Sequence, residues 1–326
     1  MGTARQMARG ILPVVGALLL LAGCRGGGNS AGNAPSGAGA KAPAAPAEAV
    51  GTVDRPLSMV FVPAVNSAQL ATSADELSKL IEKETGLKVK GSVGTSYSAV
   101  VEAMGTGHVD IGWLNPFSYV LAHNKYGVEP LLITTRHGSR TYEGIIITRK
   151  DSGINSLKDL KGKKFAFVDP LSTSGTIYPQ LAMMAAGIDP KKDLGQTIFA
   201  GGHDKVVLAV YQKQVDAGAI YGGVSDARQR VVSTIPDVME QTKVIGHTDQ
   251  IPSDNVSVRQ ELPAAVKSKL KAALLKIARS DDGRRILENY DIDGLEPVKD
   301  SDYDSIRKAT EALDINLEQA VQPKKK

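Results

Sequence analysis

A chain of 326 residues with 42% apolar and 23% charged residues has the balance of a soluble globular protein and the length for two lobes. Its net charge of +4 sits at the ends: without Arg5 and Arg9, the net one from Arg25, Lys41 and Glu48, and Lys324, Lys325 and Lys326, the body from Gly51 to Pro323 carries −2. A near-neutral body excludes the basic face that a nucleic-acid binder needs, and a single Cys excludes a disulfide framework or a site of several thiolates.

Met1 to Gly10 is short and basic, and Ile11 to Leu21 is apolar. That run is too short to span a bilayer, which takes about 20 residues as a helix, but it suits the core of an export signal. Leu21-Ala22-Gly23-Cys24 follows and looks like a lipobox, with residues 1–23 as a lipoprotein signal peptide and Cys24 as the lipidated residue. An ordinary signal peptide with a chance Cys is the alternative. Residues 24–52 are read as a flexible tether, because Gly26 to Ala49 is almost wholly Gly, Ala, Pro, Ser and Asn and has no apolar periodicity to pack.

In the body, Leu57 to Val62 reads as a first strand, and Thr72-Ser73-Ala74-Asp75-Glu76 as the capped start of a helix ending at Gly86. Lys88 to Ser92 is a strand, Ser96 to Met104 a helix and Val109 to Trp113 a strand. Asn115-Pro116 then caps and opens another helix. Leu131 to Thr135, Gly144 to Arg149 and Lys164 to Val168 read as strands, and Ser174 to Ala186 as a helix. Thr197 to Ala200 and Ala217 to Tyr221 are strands, with helices at His203 to Gln212 and Ser225 to Ser233. Strands follow at Lys243 to His247 and Asn255 to Val258, and helices at Pro263 to Ser280, Asp282 to Glu288 and Tyr303 to Leu313. This alternation predicts an α/β fold with parallel strands. Tyr142 to Arg149 and His247 to Val258 read as two crossings between lobes. That gives lobe I from 53–146 and 249–326, lobe II from 147–248, and a clamshell with ligand in the interlobe cleft.

Three loops carry chemistry. Asp169-Pro170-Leu171-Ser172-Thr173-Ser174-Gly175 joins a strand end to a helix start. Unpaired N–H groups at such a start, hydroxyls and a Gly make an anion cradle, although a single hydroxyl would suffice as a cap. Gly94-Thr95-Ser96-Tyr97-Ser98 and Gly201-Gly202-His203-Asp204 have the same character. No Arg or Lys lies within the three loops, so recognition by dipoles and hydrogen bonds is expected. His203 is a candidate donor, and Tyr97, Trp113, Tyr142 and Tyr221 are placed to line a cleft. His108, His123, His137 and His247 lack metal-ligand spacing, so no metal site is expected. Ser172, His203 and Asp204 hold the ingredients of a nucleophile and base, but no strained elbow surrounds Ser172, and adjacent His and Asp point apart on a helix.

Together these residues resemble the phosphate/phosphite/phosphonate-binding proteins of ABC importers, type 2 periplasmic binding proteins. The resemblance runs from about Leu57 to Tyr303, through Gly94-Thr95-Ser96-Tyr97, Val109 to Pro116, Phe167 to Gly175, Gly201 to Asp204, Val215 to Ala219 and Ile251-Pro252-Ser253-Asp254. It implies capture of a small phosphorus oxyanion (phosphonate, phosphite or phosphate) for a permease with its ATPase, by a monomer without cofactor or enzymatic activity. It places Ser172, Thr173 and Ser174 on the phosphonyl oxygens from lobe II, Tyr97 on the ligand from lobe I, Tyr142 beside it and His203 at a further contact. Asn115 stands where the family often has Gly. Members that bind an amino-substituted phosphonate carry acids near the strand matching Ala217 to Tyr221. Here the candidates are Asp226 and Asp204, and if neither faces the cleft the weight shifts to smaller anions. Two alternatives remain: a sensing domain of the same fold that presents its bound state to a receptor, and, least favoured, a phospho-ester hydrolase.

Overall fold

A computed structural model describes residues 50–315. The expected signal peptide, Cys24, most of the tether and Lys324 to Lys326 lie outside them.

In chain order the chain forms β1 (Leu57–Phe61), α1 (Ser67–Thr85), β2 (Val89–Val93), α2 (Tyr97–Gly105), β3 (Ile111–Leu114), α3 (Pro116–Tyr126), β4 (Glu129–Thr135) and β5 (Thr141–Arg149). β6 (Phe165–Phe167), α4 (Tyr178–Ala185), β7 (Thr197–Phe199), α5 (His203–Tyr211), β8 (Ala217–Gly222), α6 (Val238–Gln241), β9 (Thr242–His247) and β10 (Ile251–Pro252) follow. The chain then closes with β11 (Asn255–Val258), α7 (Ala264–Ile277), α8 (Asp281–Glu288), β12 (Gly294–Pro297) and α9 (Asp304–Ala312).

Two predicted helices change. α1 starts before Thr72, because Asn66 is its cap: Asn66 Oδ1 accepts from the N–H groups of Ala68 at 3.0 Å and Gln69 at 3.4 Å. Thr72 is interior, and its hydroxyl donates to Ala68 O. The helix expected at Ser225 to Ser233 shrinks to a 3-10 turn at Gln229–Val231. Asp226 Oδ1 accepts from Arg228 N at 2.8 Å, a local side-chain bond that competes with helix.

The strands form two six-stranded sheets. The first runs β12-β4-β11-β3-β1-β2; the second runs β10-β5-β8-β6-β7, with β9 also on β5. Both are mixed rather than parallel. β1 pairs parallel with β2 and β3, and β6 with β7 and β8, but β11 runs antiparallel between β3 and β4, and β5 antiparallel to β8. The reversal follows from the two crossings, since a chain returning from the second lobe enters the first sheet from the opposite end. The crossings are tighter than expected. β4 ends in the first sheet at Thr135 and β5 begins in the second at Thr141, while β10 ends at Pro252 and β11 begins at Asn255. All of β5 therefore belongs to the second sheet. The crossings touch each other, with Ser253 N donating to Arg140 O at 2.8 Å.

Helices cover the sheets and bury them. Leu57, Met59, Ile111 and Val256 of the first sheet pack with Leu77 and Ile81 of α1 and Leu270 and Leu274 of α7 in one fully apolar cluster. A buried ion pair ties the ends of the central strands β3 and β11: Arg259 Nε donates to Asp110 Oδ1 at 2.6 Å, and Ser58 N of β1 donates to Asp110 Oδ2 at 2.9 Å. Neither side chain is more than 9% exposed. Asp110→Ala leaves the buried Arg259 guanidinium with only the exposed Glu261 carboxylate at 3.7 Å, so it should destabilise the fold by about 3–5 kcal/mol in urea unfolding while ligand affinity of the folded protein stays unchanged.

Candidate functional site

The C-terminal ends of β1, β3, β6 and β8 and the loops after them meet between the sheets, where open α/β sheets place ligands. A cavity of about 80 Å³ lies there. Tyr97, Trp113, Asn115 and Asp254 line it from the first lobe, Ser172, Ser174, His203 and Tyr221 from the second, and Arg136 and Tyr142 at the start and finish of the first crossing.

Three helix N-termini face this space. Ser96 caps α2, accepting from Ala99 N at 3.1 Å, and leaves Tyr97 as the first helical residue. Ser172 caps the turn Thr173–Ile177 that leads into α4, accepting from Gly175 N at 3.1 Å. Position 175 needs Gly because a Cβ there would stand 2.3 Å from Val168 Cγ2. His203 is the first residue of α5. The positive ends of three helix dipoles thus surround one small volume. The tyrosines remain protonated donors, because burial pushes the Tyr97, Tyr142 and Tyr221 phenols up. Ser172 beside Tyr97 and Ser174 beside Tyr142 oppose that rise without cancelling it.

His203 has a fixed tautomer. Its Nδ1 lies 3.0 Å from Tyr221 N, and a main-chain N–H can only donate, so Nδ1 accepts and the proton sits on Nε2. The imidazole is 3% exposed, and burial, followed by the nearby Arg136 charge, pushes its pKa down to about 3. It is a neutral donor at physiological pH.

Arg136 corrects the expectation of a cavity without cations. Its guanidinium lies 5.1 Å from the Tyr142 ring centroid and 5.9 Å from that of Tyr221, and Nη2 donates to Asp254 Oδ2 at 2.7 Å. Its Nε is buried without a partner. Burial pushes the Asp254 carboxyl up, against the opposing pull of Arg136. Arg230 and Asp291 form a second pair in the lining, at 3.6 Å. The remaining wall is aromatic: Phe61 stacks on Trp113 at 4.8 Å and on Tyr290 at 4.5 Å, and those two rings lie 6.3 Å from each other.

Three expected ligand residues lie outside the lining. Thr173 Oγ1 instead accepts from Asn115 Nδ2 at 2.7 Å and Phe117 N at 3.0 Å. A hydroxyl of the second lobe therefore caps α3 of the first. Asp226 is held by the Arg228 guanidinium at 3.0 and 2.8 Å. Asp204 is the second residue of α5, where its Oδ1 is buried without a hydrogen-bond partner and burial pushes its pKa up. The carboxylates that reach the cavity are Asp254 and Asp291. Among the described residues no group of His, Cys, Asp and Glu can hold a metal ion, and no helix is long and apolar enough to cross a membrane.

Two lobes joined by two crossings and closed over a donor-lined cavity define a solute-binding clamshell. Residues 59–303 match the family model of "ABC transporter, phosphonate, periplasmic substrate-binding protein", and the chain belongs to that family. It is 33% identical over 271 residues to the phosphate-import protein PhnD of Mycolicibacterium smegmatis, covering 77% of this chain and 84% of that one. It is 29% identical over 213 residues to the phosphonates-binding periplasmic protein of Escherichia coli, covering 64% and 62%. Among solved structures, a binding protein component of an ABC phosphonate transporter from Pseudomonas aeruginosa superposes with a TM-score of 0.73 at 25% identity, covering 82% of this chain and 90% of that one.

The His203 environment predicts an acid-side instability. Below its ordinary pKa of 6.5 the unfolded chain binds a proton there, while the folded chain does not until about 3. Stability is therefore lost as pH falls through that window, by about 1.4 kcal/mol per pH unit at most. His203→Gln should flatten this part of the curve of unfolding free energy against pH. An unchanged slope would mean that His203 is protonated in the fold.

Proposed function

We propose that this protein is a lipid-anchored, extracytoplasmic binding protein that captures a small phosphorus oxyanion and presents it to an ABC permease. The observation that carries the reading is the convergence of three helix N-termini on one small cavity, with the His203 Nε2–H and the unpartnered Arg136 Nε in its wall. Such a set offers hydrogens from several directions and no nucleophile with a base, so it suits holding an anion rather than transforming one. Tyr97 from the first lobe and Ser172, Ser174 and His203 from the second are the proposed ligand contacts, with Tyr142 and Arg136 beside them. Thr173 acts through closure, and Asp204 and Asp226 are given no ligand role.

The names of the two relatives, one for phosphate import and one for phosphonates, agree with a tetrahedral phosphorus centre. The cavity of about 80 Å³ favours a compact anion over a long organic substituent. The anchor rests on Leu21-Ala22-Gly23-Cys24, as a diacyl chain on Cys24 would hold the protein at a membrane while the lobes stay in water.

Calorimetric titration with phosphate, phosphite, methylphosphonate, 2-aminoethylphosphonate and sulfate tests the reading; tight binding of a phosphorus anion is expected. Silence across the panel from folded, ligand-stripped protein would overturn it. Ser172→Ala should weaken binding by about 1–3 kcal/mol, the range for a hydrogen bond to a charged group. Cys24→Ser should move the protein from the membrane fraction to the soluble fraction of cells, whereas an unchanged distribution would overturn the anchor.

A further inference from the structure

Asn115 lines the cavity and is 6% exposed. Its Nδ2 donates to Leu171 O at 2.8 Å as well as to Thr173 Oγ1 at 2.7 Å. A main-chain carbonyl only accepts, so the amide nitrogen must face Leu171 and the side chain cannot be turned over. Oδ1 is thereby fixed as well, and it is buried with no donor. A second acceptor stands in the same wall. Asp254 Oδ2 is taken by Arg136, while Oδ1, on a side chain that is 29% exposed, takes no hydrogen bond from the protein among the described residues.

Acceptors in an anion cavity are repulsive unless the anion brings a hydrogen. Building on the oxyanion reading above, we infer that Asn115 is a specificity-determining residue whose Oδ1 accepts a hydrogen bond from the P–OH of a protonated phosphorus oxyanion. Asp254 Oδ1 reinforces the same demand. The site thus selects by a hydroxyl on phosphorus, not by charge alone. Phosphate keeps a P–OH in both ionic forms it takes between about pH 6 and about pH 9. Phosphite and methylphosphonate lose theirs at the second ionisation, and the hydrogen that phosphite retains is bound to phosphorus. Sulfate carries no hydroxyl in this range.

The charged and titratable side chains that face the cavity are Arg136, Arg230, Asp254, Asp291 and His203, with tyrosines beside them. They are common to every ligand, so ratios of affinities cancel their titration. The experiment is calorimetric titration of the purified protein with phosphate, phosphite, methylphosphonate and sulfate from about pH 6 to about pH 9. The affinity ratios of phosphate to phosphite and of phosphate to methylphosphonate should rise about tenfold per pH unit above the second ionisation of the weaker ligand, as its hydroxylated form disappears. Sulfate should stay weak throughout.

Undiminished binding of the phosphite or methylphosphonate dianion, or sulfate binding as tightly as phosphate, would overturn the inference. A parallel fall of all three phosphorus anions would overturn it too, because the site would then be selecting by charge. Failure of every anion at every pH would instead remove the oxyanion reading, and this inference with it. Asn115→Ala loses its bonds to the second lobe for all ligands equally. Its ratio of phosphate to phosphite at about pH 9 should nevertheless fall at least about threefold from that of the unaltered protein. An unchanged ratio would mean that Asn115 is not the acceptor.

Discussion

The Thr173 hydroxyl is the point on which the two lobes depend. It accepts from Asn115 Nδ2 and Phe117 N, both in the first lobe, while belonging to the loop that supplies Ser172 and Ser174 to the cavity. Asn115 stands at the cap position of α3 but makes no cap bond of its own. The unsatisfied N–H of that helix is met from the opposite lobe. Opening the cleft must therefore uncap a helix and leave the Asn115 amide N–H groups without their acceptors, so closure of the protein and completion of a local structure are one event. His203 adds to this by donating its backbone N–H to Ala64 O of the first lobe at 2.9 Å.

The electrostatics of the cavity follow from the same closure. Arg136 is paired with Asp254 and Arg230 with Asp291, so the formal charges in the wall already balance. His203 is neutral, with its proton placed by Tyr221 N. On the proposed reading, what remains for an anion is a set of oriented donors: three helix starts, buried phenols, an imidazole N–H and the unpartnered Arg136 Nε. Such donors are worth more in a site with little water than in solution, and they need no reorganisation when the ligand arrives. The stacked Phe61, Trp113 and Tyr290 form the apolar side that keeps the rest dry.

Much of this was legible in the sequence because it is local. A strand end, a small loop with hydroxyls and a helix start follow one another in the chain, and the three loops met where that pattern put them. Thr173 departs from that pattern for a reason equally local. Three adjacent hydroxyls look alike in a sequence, but successive residues entering a helix point in different directions, and the middle one points to the other lobe. Arg136, Asp254 and Asp291 reach the cavity through the crossings and the turn after α8, so no nearby pattern announces them. The start of α1 is masked because Asn66 lies six residues before a second stretch with cap-like composition that begins at Thr72. The mixed sheets were missed because strand direction depends on where the chain re-enters, which periodicity does not record.

Affinity and selectivity are separable in this design. Interlobe bonds such as Thr173 to Asn115 are the same whatever lies inside, so they shift the closed population and scale every affinity by a common factor. Discrimination can come only from atoms that meet the ligand differently from one anion to another. Donors serve every oxyanion alike, since each offers oxygens. On the proposed oxyanion reading, the unmatched acceptors Asn115 Oδ1 and Asp254 Oδ1 are the groups that would treat a hydroxylated anion differently from a bare one, and Asn115 belongs to both sets: one end of its amide fastens the lobes, and the other is buried without a donor.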